Sequence, residues 1–191
     1  MQLYFSPFAC SLASHATARA AGVPIELVPV SLSTKRTAAG DDFLAVTPKG
    51  QVPTLRLDDG TVLTEGPAVL QYLADRNPGS GLLPPPGTPA RYAVLEWVGY
   101  VSTELHKACY GMMFNPESPA EAKAWARAVL DRKLAWVASV VGDRAVLVGD
   151  RFTIADAYMG WALERYHAGI AAREPFAAAV AAEEAAAAAA S

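Results

Sequence analysis

Eight of the fourteen residues in RNPGSGLLPPPGTP, positions 76 to 89, are proline or glycine. Neither a helix nor a sheet ladder tolerates that density, so the chain must break there, and the two sides have to be read as separate packing problems. Before the break, short β-rich runs alternate with helical ones. QLYF and IELVPV read as strands, and TLRLDDGTVL as two strands around an Asp-Gly turn. SLASHATARAAG is an alanine-rich helix closed by Gly22, and GPAVLQYLADR is a helix with Pro67 in its first turn, where the missing N–H costs nothing. The order β-α-β, then β-β-α, predicts a mixed sheet of about four strands with helices packed on it.

After the break no strand pattern of similar strength occurs. Val94, Val98, Val101, Leu105, Ala108 and Met112 recur at alternating steps of four and three, as do Leu130, Leu134, Val137 and Val141; both runs predict amphipathic helices. A third helix starts at FTIAD, where Thr153 caps and Asp156 is placed to bond back to the cap's own N–H. The expected organisation is an α/β domain over 1–77, a linker over 78–87 and an all-α domain over 88–191. The terminal AAAVAAEEAAAAAAS favours helix but carries no chemistry.

With 52% hydrophobic and 18% charged residues and a net charge of -3, the chain is globular and lacks the basic footprint that neutralises phosphates. No nucleic-acid partner is expected. The N-terminal MQLYFSPFAC has no basic leader before an apolar run, so neither secretion nor membrane insertion is expected, and Cys10 and Cys109 are read as reduced thiols in a cytoplasm. Cys109 reads as a small buried hydrophobe. His106 and Cys109, three apart, are too few to predict a metal site.

Three short stretches carry chemistry. Cys10, in SPFACSLASH, lies at the start of a helix, where unpaired amides are expected to lower a thiol's pKa. It is followed by Ser11, Leu12 and Ala13, so no second cysteine is placed for dithiol exchange. In PKGQVPTL, Pro53 falls just before a strand. A cis Val52-Pro53 bond would turn the chain there and leave the Val52 N–H and C=O for a peptide-like ligand. In TEGPAVL, Glu65 and Gly66 open a helix whose first amides suit a ligand carboxylate, with Glu65 beside it for an ammonium.

YFSPFACSLASH, AVTPKGQVPTL, LTEGPAVLQYLAD, YVSTELHK and FTIADAY together resemble the cytosolic glutathione transferases, in particular the bacterial beta class with an N-terminal cysteine. The similarity runs in order from Met1 to about Tyr158. It implies a thioredoxin-like N-terminal domain, a helical-bundle C-terminal domain and a homodimer with glutathione, the co-substrate, at the interface, serving detoxification. By that resemblance Cys10 sits beside the glutathione sulfur, where a mixed disulfide is possible, and His106 points toward the sulfur. Val52, before Pro53, pairs with the cysteinyl unit, Glu65 and Gly66 hold the γ-glutamyl end, and Lys35 reaches the glycine carboxylate. Glu104 reaches the partner subunit's ligand, and the TIAD box is structural.

Tyr110, Met112, Met113 and Phe114 follow His106 and are read as the wall of a pocket for an apolar electrophile, or as plain core. Phe5 stands where the family often has tyrosine, and Gly99 where an asparagine commonly approaches Cys10, so the site has fewer polar groups. The stretch between Tyr158 and Glu174 is shorter than the family's, which removes part of a pocket wall. The leading reading is conjugation of glutathione to small hydrophobic electrophiles. The alternatives are a thiol transferase or peroxidase working through Cys10, and a non-catalytic binding protein of the same fold.

Overall fold

The structure, a computed structural model, describes residues 1–164 and 176–189. Its sheet runs in the order β3-β2-β1-β4-β5, built from β1 (Gln2–Phe5), β2 (Glu26–Ser31), β3 (Arg36–Thr37), β4 (Thr54–Arg56) and β5 (Val62–Thr64). β1 and β2 are parallel, with Leu3 opposite Leu27, and every other pairing is antiparallel. The sheet thus has five strands where about four are expected. The extra one, β3, is a two-residue edge in STKRTAAGDD, too short to carry a hydrophobic alternation.

Period-two alternation sends neighbouring side chains of β1 to opposite faces. Leu3 packs with Leu55 against Ala18 of α1 (Ser11–Ala21) and Val69 and Leu73 of α3 (Gly66–Asp75). Tyr4 faces the other way, stacked on Phe43 of the one-turn helix α2 (Phe43–Val46) at 5.5 Å. Gly22 ends α1 in the left-handed conformation (φ 66°), which lets its N–H and that of Val23 close on the last carbonyls.

The proline-rich stretch is docked. Leu82 and Leu83 are buried in the main core, and the Leu82 carbonyl accepts the Ile154 N–H at 3.0 Å. The Arg91 guanidinium spans the break, donating twice to Asp75 (3.0 and 2.9 Å) and once to the Pro84 carbonyl (3.0 Å). Beyond it lie α4 (Pro89–Tyr100), a π-helical stretch (Val101–Tyr110), α5 (Gly111–Phe114), α6 (Ala120–Val141), α7 (Ile154–Glu164) and α8 (Phe176–Ala188). No helix among the described residues is long and apolar enough to cross a membrane.

The π-helical stretch changes which side chains face inward. There the hydrogen bonds reach five residues back, as from the Gly111 N–H to the His106 carbonyl, and each such turn takes up an extra residue. Val94, Val98, Val101 and Leu105 are buried as the spacing predicts, but the next inward positions are Cys109 and Tyr110, while Ala108 is exposed. The expected step from Leu105 to Ala108 is therefore replaced by a step to Cys109. In α6, Leu130 and Val137 are buried with Leu134 and Val141 packed beside them. The alanine-rich tail, α8, lies against α1: His15 Nδ1 meets the Glu183 carboxylate at 3.3 Å, with both side chains buried.

The start of α7 is held by Asp156. Its carboxylate accepts the Thr153 N–H and hydroxyl, each at 2.8 Å, and the Leu147 N–H at 2.7 Å. Replacing it strands two backbone donors at the junction of α7 with the loop before it. Hydrogen bonds to a charged acceptor contribute about 1.5–3 kcal/mol each and are not additive, so Asp156→Ala is expected to lower stability by roughly 2–4 kcal/mol. Urea unfolding measures this, and a midpoint equal to that of the parent chain would contradict the role given to Asp156.

Candidate active site

Cys10 is the residue immediately before α1, in a turn held at both ends. The Ser11 hydroxyl accepts the Ser6 N–H and donates to the Ser6 carbonyl, each at 3.3 Å. The Phe8 carbonyl accepts the Trp161 indole N–H at 3.3 Å. Phe8 itself has φ 60°, a left-handed conformation that a bulky residue adopts only when its surroundings hold it there. The turn is thus anchored from α7, and the cysteine points into a cleft between the sheet and the π-helical stretch.

Across that cleft the Val52–Pro53 bond is cis. The Val52 carbonyl is not left open: it accepts the Cys10 thiol at 3.1 Å. Glu65, at φ 69°, turns the chain into α3, and Gly66 and Pro67 start that helix at the cleft wall. An added Cβ at Gly66 would stand 3.5 Å from the Tyr158 hydroxyl, so the α3 terminus and α7 meet closely there. The cleft is narrow, with a cavity volume of about 30 Å³, well below the roughly 300–1,000 Å³ of small-molecule sites. Lys49, Ser102, His106, Lys107 and Tyr158 complete its wall.

Burial decides the protonation states. The Cys10 thiol is pushed up to about 11 by loss of solvent, against smaller opposing effects of Lys107 and of its own and the Ser11 N–H. The expectation of a lowered thiol pKa is therefore overturned: the helix-end amides act in the expected direction, but desolvation of the thiolate outweighs them. His106 is held down to about 4 by burial first and Lys107 second, so its ring is neutral. Its Nδ1 lies 2.8 Å from the Tyr158 hydroxyl, and Trp161 packs edge-on at 4.6 Å. Glu65 is held below the usual carboxylate range by its hydrogen bond with Lys49.

The structure brings Cys10, Val52, Pro53, Glu65, Gly66 and His106 to one cleft and places the other predicted site residues elsewhere. Lys35 does not line the cleft; its Nζ donates to the Gly50 carbonyl at 2.9 Å. The lysines at the wall are Lys107 and Lys49, the latter donating to Thr64 Oγ1 (2.9 Å) and Glu65 Oε1 (2.7 Å). Glu104 is exposed and ion-paired with Lys133. Tyr110 is core: its hydroxyl donates to the Ala162 carbonyl at 2.5 Å, and its ring lies between Phe114 and Trp161. Met113 packs against the main core, Phe114 is exposed, and neither borders the Cys10 cleft.

Phe5 is fully buried, an added Cβ at Gly99 would meet nothing within 4 Å, and Ser102, just beyond Gly99 in the chain, joins His106 and Lys107 at the cleft. The stretch read as shortened between Tyr158 and Glu174 lies largely outside the described residues. Lys49, Ser102, Lys107 and Tyr158 are the residues sequence reasoning missed. The last three fall within YVSTELHK and FTIADAY, where their spacing along a helix relative to His106 and Ile154 was the available signal.

Comparison with known proteins follows the same outline. A family model for the N-terminal domain of glutathione S-transferase matches residues 5–76. The chain is 51% identical to the glutathione S-transferase GstA of Escherichia coli O157:H7, over 83% of this chain and 79% of that one. A sphingomonad glutathione S-transferase solved in complex with glutathione superposes with a TM-score of 0.88 at 40% identity, covering 96% of this chain and 99% of that one. A beta-class enzyme of Sphingomonas chungbukensis gives 0.89 at 37% identity, covering 96% and 98%.

A buried neutral thiol has a measurable signature. Alkylation of Cys10 by iodoacetamide, followed by peptide mass spectrometry, is expected to accelerate about tenfold per pH unit and to keep rising beyond pH ~9.5, because only the thiolate reacts. A plateau near the ordinary thiol value of about 8.5 or below would contradict the burial argument.

Proposed function

This chain belongs to the glutathione S-transferase family, in its beta class, and from that premise we propose that glutathione lies along the Val52 edge of the cleft, with the γ-glutamyl end at the start of α3. The observation that carries the reading is the Val52 carbonyl, a main-chain acceptor beside Cys10 that a tripeptide's cysteinyl N–H would take over from the Cys10 thiol. The γ-glutamyl carboxylate suits the first amides of α3, and its ammonium suits Glu65. Lys49, on the side of the wall next to Glu65, suits a carboxylate; Lys35 would have to leave the Gly50 carbonyl to serve as one. In this reading residues 1–77 carry the peptide, 78–87 join the two parts, and 88–191 supply His106 and the electrophile's surface.

The reaction is conjugation. The bound thiol gives its proton to solvent, its sulfur forms a bond to an electrophilic carbon, and the leaving group departs with its electron pair. The residues lower the barrier by holding the thiolate beside fixed donors and Lys107. The raised Cys10 pKa favours conjugation over thiol transfer through Cys10, since a protonated thiol is a poor nucleophile. The two free cysteines suit a reducing bacterial cytoplasm and a detoxifying role there.

A homodimer is part of the same reading. Trp97, Tyr100 and Trp136 form a half-exposed aromatic cluster across α4 and α6, with ring centroids 5.0–5.8 Å apart, and the Glu104–Lys133 pair bridges the π-helical stretch and α6 on the same helix pair. A second copy covering this face buries rings otherwise left to water.

Two experiments test the reading. Cys10→Ala is expected to keep conjugation of a chlorodinitrobenzene-type substrate within about fivefold and to lose reduction of glutathione mixed disulfides at least a hundredfold; loss of conjugation with retained reduction would reverse the assignment. Trp136→Glu is expected to convert a dimer into a monomer in sedimentation, and an unchanged mass would place the interface elsewhere.

A further inference from the structure

His106 has two ring nitrogens, and the structure commits one of them. Nδ1 lies 2.8 Å from the Tyr158 hydroxyl, leaving Nε2 as the only ring nitrogen for a ligand in the cleft. A phenol O–H is a stronger acid than a neutral imidazole N–H, and an imidazole nitrogen is a better acceptor than a phenol oxygen, so the proton in this contact belongs to the tyrosine. Tyr158 is fully enclosed, with its ring against Trp161 and its hydroxyl over the α3 terminus. It has no freedom to turn away. Ser102 lines the same cleft beside Tyr158.

We propose that Tyr158 is a positioning residue that locks His106 as the tautomer protonated on Nε2, so that this N–H is offered to the thiolate of bound glutathione. The proposal rests on the reading above, in which His106 faces the glutathione sulfur. It gives His106 a role different from a general base: a neutral ring already protonated on Nε2 cannot accept the thiol's proton there, so that proton goes to water while the ring donates a hydrogen bond to the sulfur. Burial acts in the same direction on both partners, keeping the imidazole uncharged and the phenol protonated. The titratable or charged groups facing this pair are Cys10 before α1, Glu65 and Lys49 near the start of α3, and Lys107 on the histidine's own helix. Tyr158→Phe removes the donor and keeps the ring.

Nitrogen-15 NMR of the imidazole in the intact protein reads the tautomer directly. The expected spectrum has His106 protonated on Nε2 and bare at Nδ1 from pH 6 to 8, with the two nitrogens converging in Tyr158→Phe. The second readout is the ultraviolet titration of the thiol of bound glutathione. Tyr158→Phe is expected to raise its midpoint by about one pH unit, lowering kcat/KM at neutral pH about tenfold while KM for glutathione changes less than about twofold. His106→Gln, whose amide can present an N–H near the Nε2 position, is expected to be insensitive to the further Tyr158→Phe change.

An Nδ1-protonated ring in the parent protein overturns the assignment, whether or not any variant folds. The expected tautomer combined with an unmoved thiol titration would instead overturn the reading of His106 as the residue beside the sulfur, and the proposal with it.

Discussion

Helix α1 is buried on nearly every side. Leu12, Ala13, Ser14, His15, Ala16, Thr17 and Ala18 are all enclosed in one unbroken run, which a surface helix with a polar face could not show. The run is possible because most of these side chains are small, so the sheet, α3, α7 and α8 approach its axis closely. The buried polar groups are largely accommodated within the helix and its neighbours: the Thr17 hydroxyl donates to the Ala13 carbonyl at 2.8 Å, and His15 meets Glu183. The position of Cys10 follows from this enclosure, since the residue before a helix packed on all sides has no room to wander.

The same enclosure sets the chemistry of the cleft. Isolated, a thiol at a helix start beside a lysine would ionise easily, and a histidine would titrate near neutrality. Here desolvation leads for both, driving Cys10 up and His106 down, so each is uncharged. A site of this kind works through oriented dipoles more than through proton relays. In the proposed mode of binding, the α3 amides and the imidazole N–H are in place before glutathione arrives, and only the Cys10 thiol has to move, off the Val52 carbonyl.

Much of the fold was legible in the sequence because it depends on local chemistry. Gly22 ends a helix, Asp-Gly turns a hairpin, Asp156 bonds back to the Thr153 N–H as expected although the Thr153 hydroxyl donates to that same carboxylate and does not cap the helix, and a proline-rich break separates strand patterns from helical ones. The two-residue β3 was not legible, being shorter than any pattern. Nor was the shift from Ala108 to Cys109, since a π-helical turn leaves no mark in hydrophobic spacing until its extra residue is counted. At the site, Cys10, Val52, Glu65 and His106 were found through motif and resemblance. The direction of the Cys10 shift was misread because desolvation is a tertiary effect, set by residues such as Val52 and Tyr158 that lie far along the chain. Lys49 replaced Lys35 at the wall for a similar reason: both are lysines in polar loops, and only the packed chain shows that Lys35 is spent on the Gly50 carbonyl.

The central claim is that one main-chain acceptor serves two donors, the Cys10 thiol and the cysteinyl N–H of glutathione. A crystal structure of the protein soaked with reduced glutathione tests it most directly. The account predicts the tripeptide paired with the Val52 main chain, its γ-glutamyl carboxylate on the first amides of α3, and the Cys10 sulfur moved off the Val52 carbonyl. Glutathione bound while the Cys10–Val52 hydrogen bond persists, or bound away from that edge, would contradict it.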